Sequence, residues 1–258
     1  MVGGWGGKCY MPDATLITFP PSLDSELARF LVKHYRVPHQ ENRHTIIISS
    51  FFTLWHGYTP LFPLLYSDSY RFDFAREIVD HFDPLSPPDR QLLLSGESRQ
   101  QVEADWNTFN KGLAISTAIF AYYHLLPHRE IMIRPLSEGT PGWEVSAVKS
   151  AYPVFAGVLR LLLWLTADRA REALDKIRAT MDEVDRRLAS GRKYLVADRF
   201  SLSDMAFAVA AAPVVLPAEY GGPIPSLLEM PPAVQAAVAE MRQRPAGRFA
   251  LRIYKEHR

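Results

Sequence analysis

Prolines divide this chain. The run Asp83-Pro84-Leu85-Ser86-Pro87-Pro88 places three prolines within five consecutive positions. No helix continues through such a run, because each ring fixes φ, removes a backbone donor and clashes with the preceding turn. Before it, short β-branched runs alternate with helical ones. After it, every apolar pattern has helical period. The chain has 258 residues, enough to bury a separate core on each side of the break. We read 1–13 as a flexible leader, 14–83 as an α/β domain, 84–95 as a linker and 96–258 as an all-helical domain.

In the first domain, Thr15-Leu16-Ile17-Thr18-Phe19 is strand-like and Pro20-Pro21 ends it. Ser22 to Tyr35 is helical in period: Leu27, Phe30 and Leu31 share a face, and Ser22, Asp24 and Ser25 stand at the front where caps belong. Val37-Pro38 stops it. Thr45-Ile46-Ile47-Ile48 is expected to form a second strand. Residues from Leu64 to Phe72 outline a hairpin around a polar turn, and Asp73 is expected to cap a short helix with Phe74, Ile78 and Phe82 on one face. The order is β-α-β, a connecting stretch, then β-β-α, which predicts a small sheet domain.

Beyond the prolines, Val102, Trp106, Phe109, Leu113 and Phe120 mark one long helix. Leu174, Ile177, Met181, Val184 and Leu188 mark a second, with a heavily charged outer face. Ser201–Ala212 and Pro232–Gln243 supply two more, whereas Arg129 to Trp143 reads as an irregular connection. Val154 to Leu165 is apolar but carries Arg160 and falls short of the ~20 residues of a membrane span, so a buried helix is expected there.

Charge and composition exclude several function classes. Lys and Arg total 29 against 28 Asp and Glu, which leaves no basic excess for a nucleic-acid face. Cys9 is the only cysteine, so an internal disulfide framework and a cysteine-based zinc site are both ruled out. His124 and His128 have the spacing of helical metal ligands, but Pro127 lies between them and no acidic residue completes a set. No metal and no membrane contact are expected. With no targeting signal legible, cytoplasmic location is the default reading.

Three motifs carry chemistry or folding information. In Phe200-Ser201-Leu202-Ser203-Asp204-Met205, Ser201 can accept from the Asp204 backbone N–H while the Asp204 carboxylate reaches back to the Ser201 N–H; Phe200 and Met205 occupy the staple positions. In Pro21-Ser22-Leu23-Asp24-Ser25-Glu26-Leu27-Ala28-Arg29, a hydroxyl stands at a helix N-terminus. There the helix dipole and an O–H···S⁻ bond favour a thiolate over a thiol; a plain N-cap is the competing reading. In Gly57-Tyr58-Thr59-Pro60, a glycine turn precedes a proline ahead of the hairpin, and Pro63 is a competing register.

These motifs, with the α/β–proline–helix outline, resemble the cytosolic glutathione transferase superfamily, in its serine-type branch. The resemblance implies a thioredoxin-like domain of roughly β-α-β-β-β-α order followed by an all-helical domain. It implies glutathione as co-substrate, a small-molecule electrophile and a homodimer. Ser22 would stabilise the glutathione thiolate. Thr59 and Pro60, the favoured cis proline, would present a strand edge to glutathione, and Phe72 and Asp73 would stand at its γ-glutamyl end. Trp55, Tyr122 and Tyr123 would border the electrophile. The departure is at Phe72-Asp73, where the family carries Glu or Gln followed by Ser or Thr. That departure supports an alternative, a binding or interaction protein on the same scaffold without ordinary glutathione binding.

Overall fold

Strand β1 (Ala14–Thr18) is the spine of a four-stranded sheet in the order β2-β1-β3-β4. It pairs in parallel with β2 (Gln40–Arg43) and antiparallel with β3 (Leu64–Ser67), which turns into β4 (Arg71–Phe72) with Leu65 opposite Phe72. The computed structural model describes residues 14–55, 59–60 and 62–258. Helices α1 (Leu23–His34), α2 (Ile46–Trp55) and α3 (Ala75–Phe82) complete a thioredoxin-like domain.

The second strand lies earlier than the sequence suggested. Thr45–Ile48 enters α2, and the polar segment Gln40–Arg43 takes the edge position instead. Two long-range contacts explain the exchange. The Glu41 carboxylate on β2 accepts from Arg29 Nε and Thr18 Oγ1, both at 2.6 Å, locking the polar strand against β1 and α1. Fully buried Glu144, from the helical domain, accepts from the Thr45 backbone N–H at 2.7 Å and contacts His44 Nδ1 at 2.7 Å. A distant carboxylate therefore holds the residues just ahead of α2, which no local residue type announces.

The helical domain begins with α4 (Glu97–Trp106), a π-helical turn (Asn107–Leu113) and α5 (Ala114–Leu125), a continuous run rather than a uniform α-helix. The stretch read as irregular forms α6 (Arg129–Ser137) and α7 (Gly142–Ser150). Pro135 falls in the last turns of α6, and Pro141 stands at the N-cap of α7 where it opens a helix rather than breaking one. Next comes α8 (Tyr152–Leu162), which is amphipathic rather than buried. Tyr152, Phe155 and Leu159 face inward, while Leu161 is 81% and Trp164 72% exposed. Helices α9 (Ala167–Leu188), α10 (Leu202–Val215), α11 (Pro232–Gln243) and α12 (Pro245–His257) follow. No single helix among the described residues is long and apolar enough to cross a membrane.

The centre of this domain is α10, apolar and buried on nearly every side, as a core helix should be. Its alanines let neighbours approach closely; Thr117 Oγ1 on α5 donates to the Ala210 carbonyl at 2.7 Å. Asp83 ties the proline-rich segment down by accepting from Tyr35 OH at 2.9 Å and the Leu93 N–H at 3.2 Å.

At the start of α10 the Asp204 carboxylate accepts from the Ser201 N–H and the Leu195 N–H, both at 2.8 Å. The Ser201 hydroxyl donates to the same carboxylate at 2.7 Å instead of accepting from the backbone, so only half of the expected reciprocal pair forms. Burial pushes the Asp204 carboxyl up to about 6, although all three hydrogen bonds favour its charged form. Replacing Asp204 with Ala strands two buried N–H groups, so Asp204→Ala should lower stability by about 2–4 kcal/mol, read as a shift in the urea midpoint.

Candidate functional site

Between the two domains lies a cavity of about 310 Å³ with predominantly apolar walls. The sheet domain contributes the segment from Phe19 through Asp24 together with Ile46 and Phe62. From the helical domain come a stripe along α5 (Ala114, Ala118, Ala121, Tyr122) and the ends of α8 and α10.

Ser22 stands at its mouth. The turn at Pro20-Pro21 ends β1, and the extended backbone of Ser22 (φ −69°, ψ 132°) makes it the N-cap of α1. Its Oγ accepts from the Ser25 N–H at 3.3 Å, while its own hydroxyl proton has no acceptor among the described residues. Ser22 therefore caps the helix and still has a donor free toward the cavity. An anion placed there meets that donor and the positive end of α1 together. Asp24, in the same first turn, is exposed and lines the cavity.

The far wall is pinned to the Ser22 turn. Tyr220 OH donates to the Pro21 carbonyl at 3.3 Å. Leu216 ends α10 in the left-handed region (φ 48°), a conformation costing roughly 1–2 kcal/mol for a residue with a side chain. Arg242 holds it by donating to the carbonyls of Val215 at 2.8 Å and Leu216 at 3.0 Å. Gly222 lets the following loop close on the turn: a Cβ at this position would lie 2.2 Å from the Pro20 carbonyl oxygen.

The cis peptide ahead of the hairpin is Phe62–Pro63, not the bond preceding Pro60. Gly57 and Tyr58, half of the glycine–proline motif, lie outside the described residues, as does His56. The Thr59 N–H and hydroxyl both face Asp73 Oδ2 at 3.4 Å, so Thr59 is turned toward a side chain rather than an open edge. Phe62 instead borders the cavity, packed edge-on against Phe19 with ring centres 5.4 Å apart.

At the fourth corner, α3 starts one residue later than Asp73 would imply, with Phe74 as N-cap. Phenylalanine has no acceptor; Glu77 Oε2 takes the N–H groups of Asp73 at 2.7 Å and Phe74 at 3.1 Å. Asp73 is therefore released from capping. It is buried, and its Oδ1 has no hydrogen-bond partner among the described residues. Burial pushes its carboxyl up, with the Thr59 bonds pulling the other way. Phe72 belongs to an aromatic cluster with Tyr70, His81 and Phe82, and Tyr70 stacks on it at 5.2 Å.

Of the residues expected beside an electrophile, the structure brings Tyr122 to the cavity and leaves two elsewhere. Trp55 is 75% exposed on the outer face of α2, opposite the buried stripe Ile46, Ser49 and Thr53. Tyr123, one residue round the helix from Tyr122, borders a separate recess with His124 and Arg160. Sequence reasoning missed Tyr220, Phe62 and Asn110; Tyr220 sits in a loop whose place against the Ser22 turn is set by tertiary packing alone. Among the described residues, no three or more His, Cys, Asp or Glu side chains are grouped as metal ligands.

Comparison with known proteins agrees with this geometry. The chain overlays on a possible glutathione S-transferase from Rhodopseudomonas palustris (14% identity, 95% of this chain and 94% of that one, TM-score 0.53). It likewise overlays on the theta class enzyme of the citrus canker pathogen Xanthomonas axonopodis pv. citri with glutathione bound (16%, 94% and 98%, 0.50), and on FzlA from C. crescentus (19%, 95% and 98%, 0.53). At such identities the overlays establish the fold. Residues 167–240, spanning α9, α10 and most of α11, match the family model "Glutathione S-transferase, C-terminal domain". The described chain thus has the glutathione transferase fold, and residues 167–240 resemble that family's C-terminal domain. No curated protein matches it by sequence.

In this transferase fold the Tyr220 loop and the Ser22 turn form one rigid corner. Gly222→Ala forces Pro20 and the loop apart; it should lower stability by about 1–3 kcal/mol and loosen the cavity, seen as a reduced urea midpoint and faster amide exchange at Tyr220 and Gly221.

Proposed function

We propose that the chain is a glutathione transferase-type enzyme in which Ser22 stabilises the glutathione thiolate, and the thiolate attacks a small electrophile in the interdomain cavity. The observation that carries this reading is the unspent Ser22 hydroxyl proton at the N-terminus of α1, facing an apolar cavity. A charge-assisted O–H···S⁻ bond at that point lowers the thiol pKa, while the cavity positions the electrophile in a water-poor setting.

The co-substrate would lie along the sheet edge at Phe62, the residue ahead of the cis peptide, with its cysteinyl sulfur at Ser22 and its γ-glutamyl ammonium on Asp73. An orphaned, buried carboxylate oxygen is costly until a donor reaches it, and an ammonium supplies that donor with a charge. The Asp73 carboxylate thus takes the role that the family's Glu or Gln plays, and Phe74 stands where a hydroxyl is usual. Like other members of the superfamily, the protein would work as a homodimer.

The test mixes purified protein with glutathione and 1-chloro-2,4-dinitrobenzene. Ser22→Ala should lower kcat/KM at neutral pH by roughly 10–100-fold, the equivalent of one charge-assisted hydrogen bond, and move the rate profile to higher pH. An unchanged profile removes Ser22 from the role. Asp73→Asn should raise the KM for glutathione roughly tenfold or more with little change in kcat, since its contact is with a part of the ligand that does not react. A thermal-shift titration reports binding apart from turnover: glutathione at ~100 Kd stabilises a true binder by about 2.7 kcal/mol, and no shift at millimolar glutathione favours the non-catalytic scaffold.

A further inference from the structure

Helices α7 and α8 carry an exposed apolar surface. Together they are as apolar as a membrane span, but they are bent by 84° and do not form one straight rod. On α8 the inward positions are Tyr152, Phe155 and Leu159. Val154, Val158 and Leu161 follow one another at spacings of four and three along the outer face, and exposed Leu162 and Trp164 extend it to the helix end. A helix with only water outside it carries polar residues on that face; this one carries aliphatic ones.

The end of α8 commits Trp164 to the same surface. The Trp164 N–H donates to the Leu161 carbonyl at 3.1 Å and the Leu165 N–H to the Arg160 carbonyl at 3.0 Å. Such paired bonds close helices at which glycine usually takes the left-handed position. Here Trp164 takes it, with φ 47°, and its indole stays exposed. Arg169 fixes the ring there: its guanidinium lies 5.4 Å from the ring centre and donates to the Leu163 carbonyl at 3.3 Å. Glycine would serve this turn without strain, so folding alone gives no reason for the indole.

Charge decides what covers the surface. Val145 to Ala167 contains no Asp or Glu. Lys149 and Arg160 are exposed within it, and neither they nor Arg169 form an ion pair among the described residues. The next acid, Asp168, is taken by Arg171. Arg160 also lines a recess of about 500 Å³ beside the helix end, with Tyr123, His124, His128 and Thr166. All five side chains carry hydrogen-bond donors, and no carboxylate is among the lining residues; His128 also contacts Glu130 at 3.8 Å. A second copy seated on this face would set Lys149 and Arg160 against their own symmetry mates with no acid between them.

We propose that α8 lies flat on an anionic phospholipid bilayer. Leu161, Leu162 and Trp164 enter the boundary between headgroups and acyl chains, while Lys149, Arg160 and Arg169 meet lipid phosphates, with the recess at Arg160 receiving a headgroup. Indole rings favour that boundary, where one edge is apolar and the other wet. The sequence argued against membrane contact because the apolar stretch is too short to span, but a helix lying in the interface needs apolar area and flanking cations rather than ~20 apolar residues. The assignment does not depend on the chemistry at Ser22.

In the experiment the full chain is floated through a sucrose gradient with vesicles of phosphatidylcholine alone, or of equal parts phosphatidylcholine and phosphatidylglycerol. It should rise with the anionic vesicles, stay below with the neutral ones, and detach as salt is raised. Trp164→Gly should weaken binding to the anionic vesicles roughly tenfold or more. Its melting temperature should stay level or rise, because glycine suits the left-handed turn. Arg160→Gln should weaken binding about fivefold. No flotation of the wild type, equal flotation with both kinds of vesicle, or undiminished binding by Trp164→Gly each overturns the assignment. So does a dimer that Trp164→Gly splits, which gives this face to a second copy.

Discussion

A buried charge network on α1 holds the two domains in the relation on which the cavity depends. Glu26 is fully buried and accepts from the Gly221 N–H and from Arg258 Nε, both at 2.9 Å, so one carboxylate of the sheet domain binds the cavity loop and the C-terminal end of α12. Three residues further on, Arg29 reaches the other way, to Glu41, to Thr18 Oγ1 at 3.1 Å and to the Pro20 carbonyl at 3.2 Å. Arg43 closes the circuit by donating to Glu41 at 3.1 Å and to the Gly221 carbonyl at 2.8 Å. Burial alone would raise the Glu41 carboxyl; Arg29 and Thr18 outweigh it and hold the group below its usual range. Buried ion pairs of this kind add little net stability against an apolar replacement, yet removing one partner costs about 3–5 kcal/mol because the other charge is left stranded. Their effect here is geometric. They fix the Pro20-Pro21 turn that presents Ser22 and the Gly221-Gly222 loop that carries Tyr220.

Around that circuit the two cores meet through aromatic rings. Phe30 of α1 stacks near Phe200 at 6.3 Å and Tyr254 at 5.7 Å, with the Arg258 guanidinium 5.8 Å over its face. Phe200 in turn stacks on His257 at 3.9 Å. The residue ahead of the α10 cap therefore serves two purposes: it covers the start of the central helix and it docks the sheet domain. Aromatic contact supplies the attraction and the ion network supplies the register, since ring packing tolerates sliding and directional hydrogen bonds do not.

What was legible in the sequence is what local patterning controls. The Leu174–Leu188 stripe, the capped start of α1 at Ser22 and the Leu64–Phe72 hairpin each state their structure within a dozen residues, and each forms as read. The failures share a cause. The β-branched run at Thr45–Ile48 favours a strand, but a carboxylate 99 positions away in the chain accepts the Thr45 N–H just ahead of α2. Arg129 to Trp143 has the Pro and Gly content of a loop, but Pro141 stands at an N-cap that needs no donor and Pro135 is accommodated near the end of α6. At the site, Ser22 could be read from its cap position, whereas the choice between Pro60 and Pro63 and the release of Asp73 by Glu77 depend on how the hairpin meets α3. Helix α12 carries a plain apolar stripe at Phe249, Ala250, Ile253 and Tyr254, and was open to reading from period alone.

The same dependence on docking accounts for the division of labour inside the cavity. The sheet domain brings its polar groups through turns and helix ends, where backbone N–H groups and unspent side-chain atoms are available; Ser22 arises that way. The helical domain meets them with side chains projecting from the middle of helices, where backbone groups are already paired, so its wall is apolar by construction. Alanines at 114, 118 and 121 keep that wall low and leave volume between the domains. A polar atom on such a wall has to come from a side chain long enough to carry it beyond the alanine floor, as the Tyr122 ring does. The polar side of the cavity is thus set by the turns of one domain, whereas the apolar wall is set by individual side chains of the other. Substitutions on α5 can consequently change what the cavity accepts without disturbing the charge circuit that forms it.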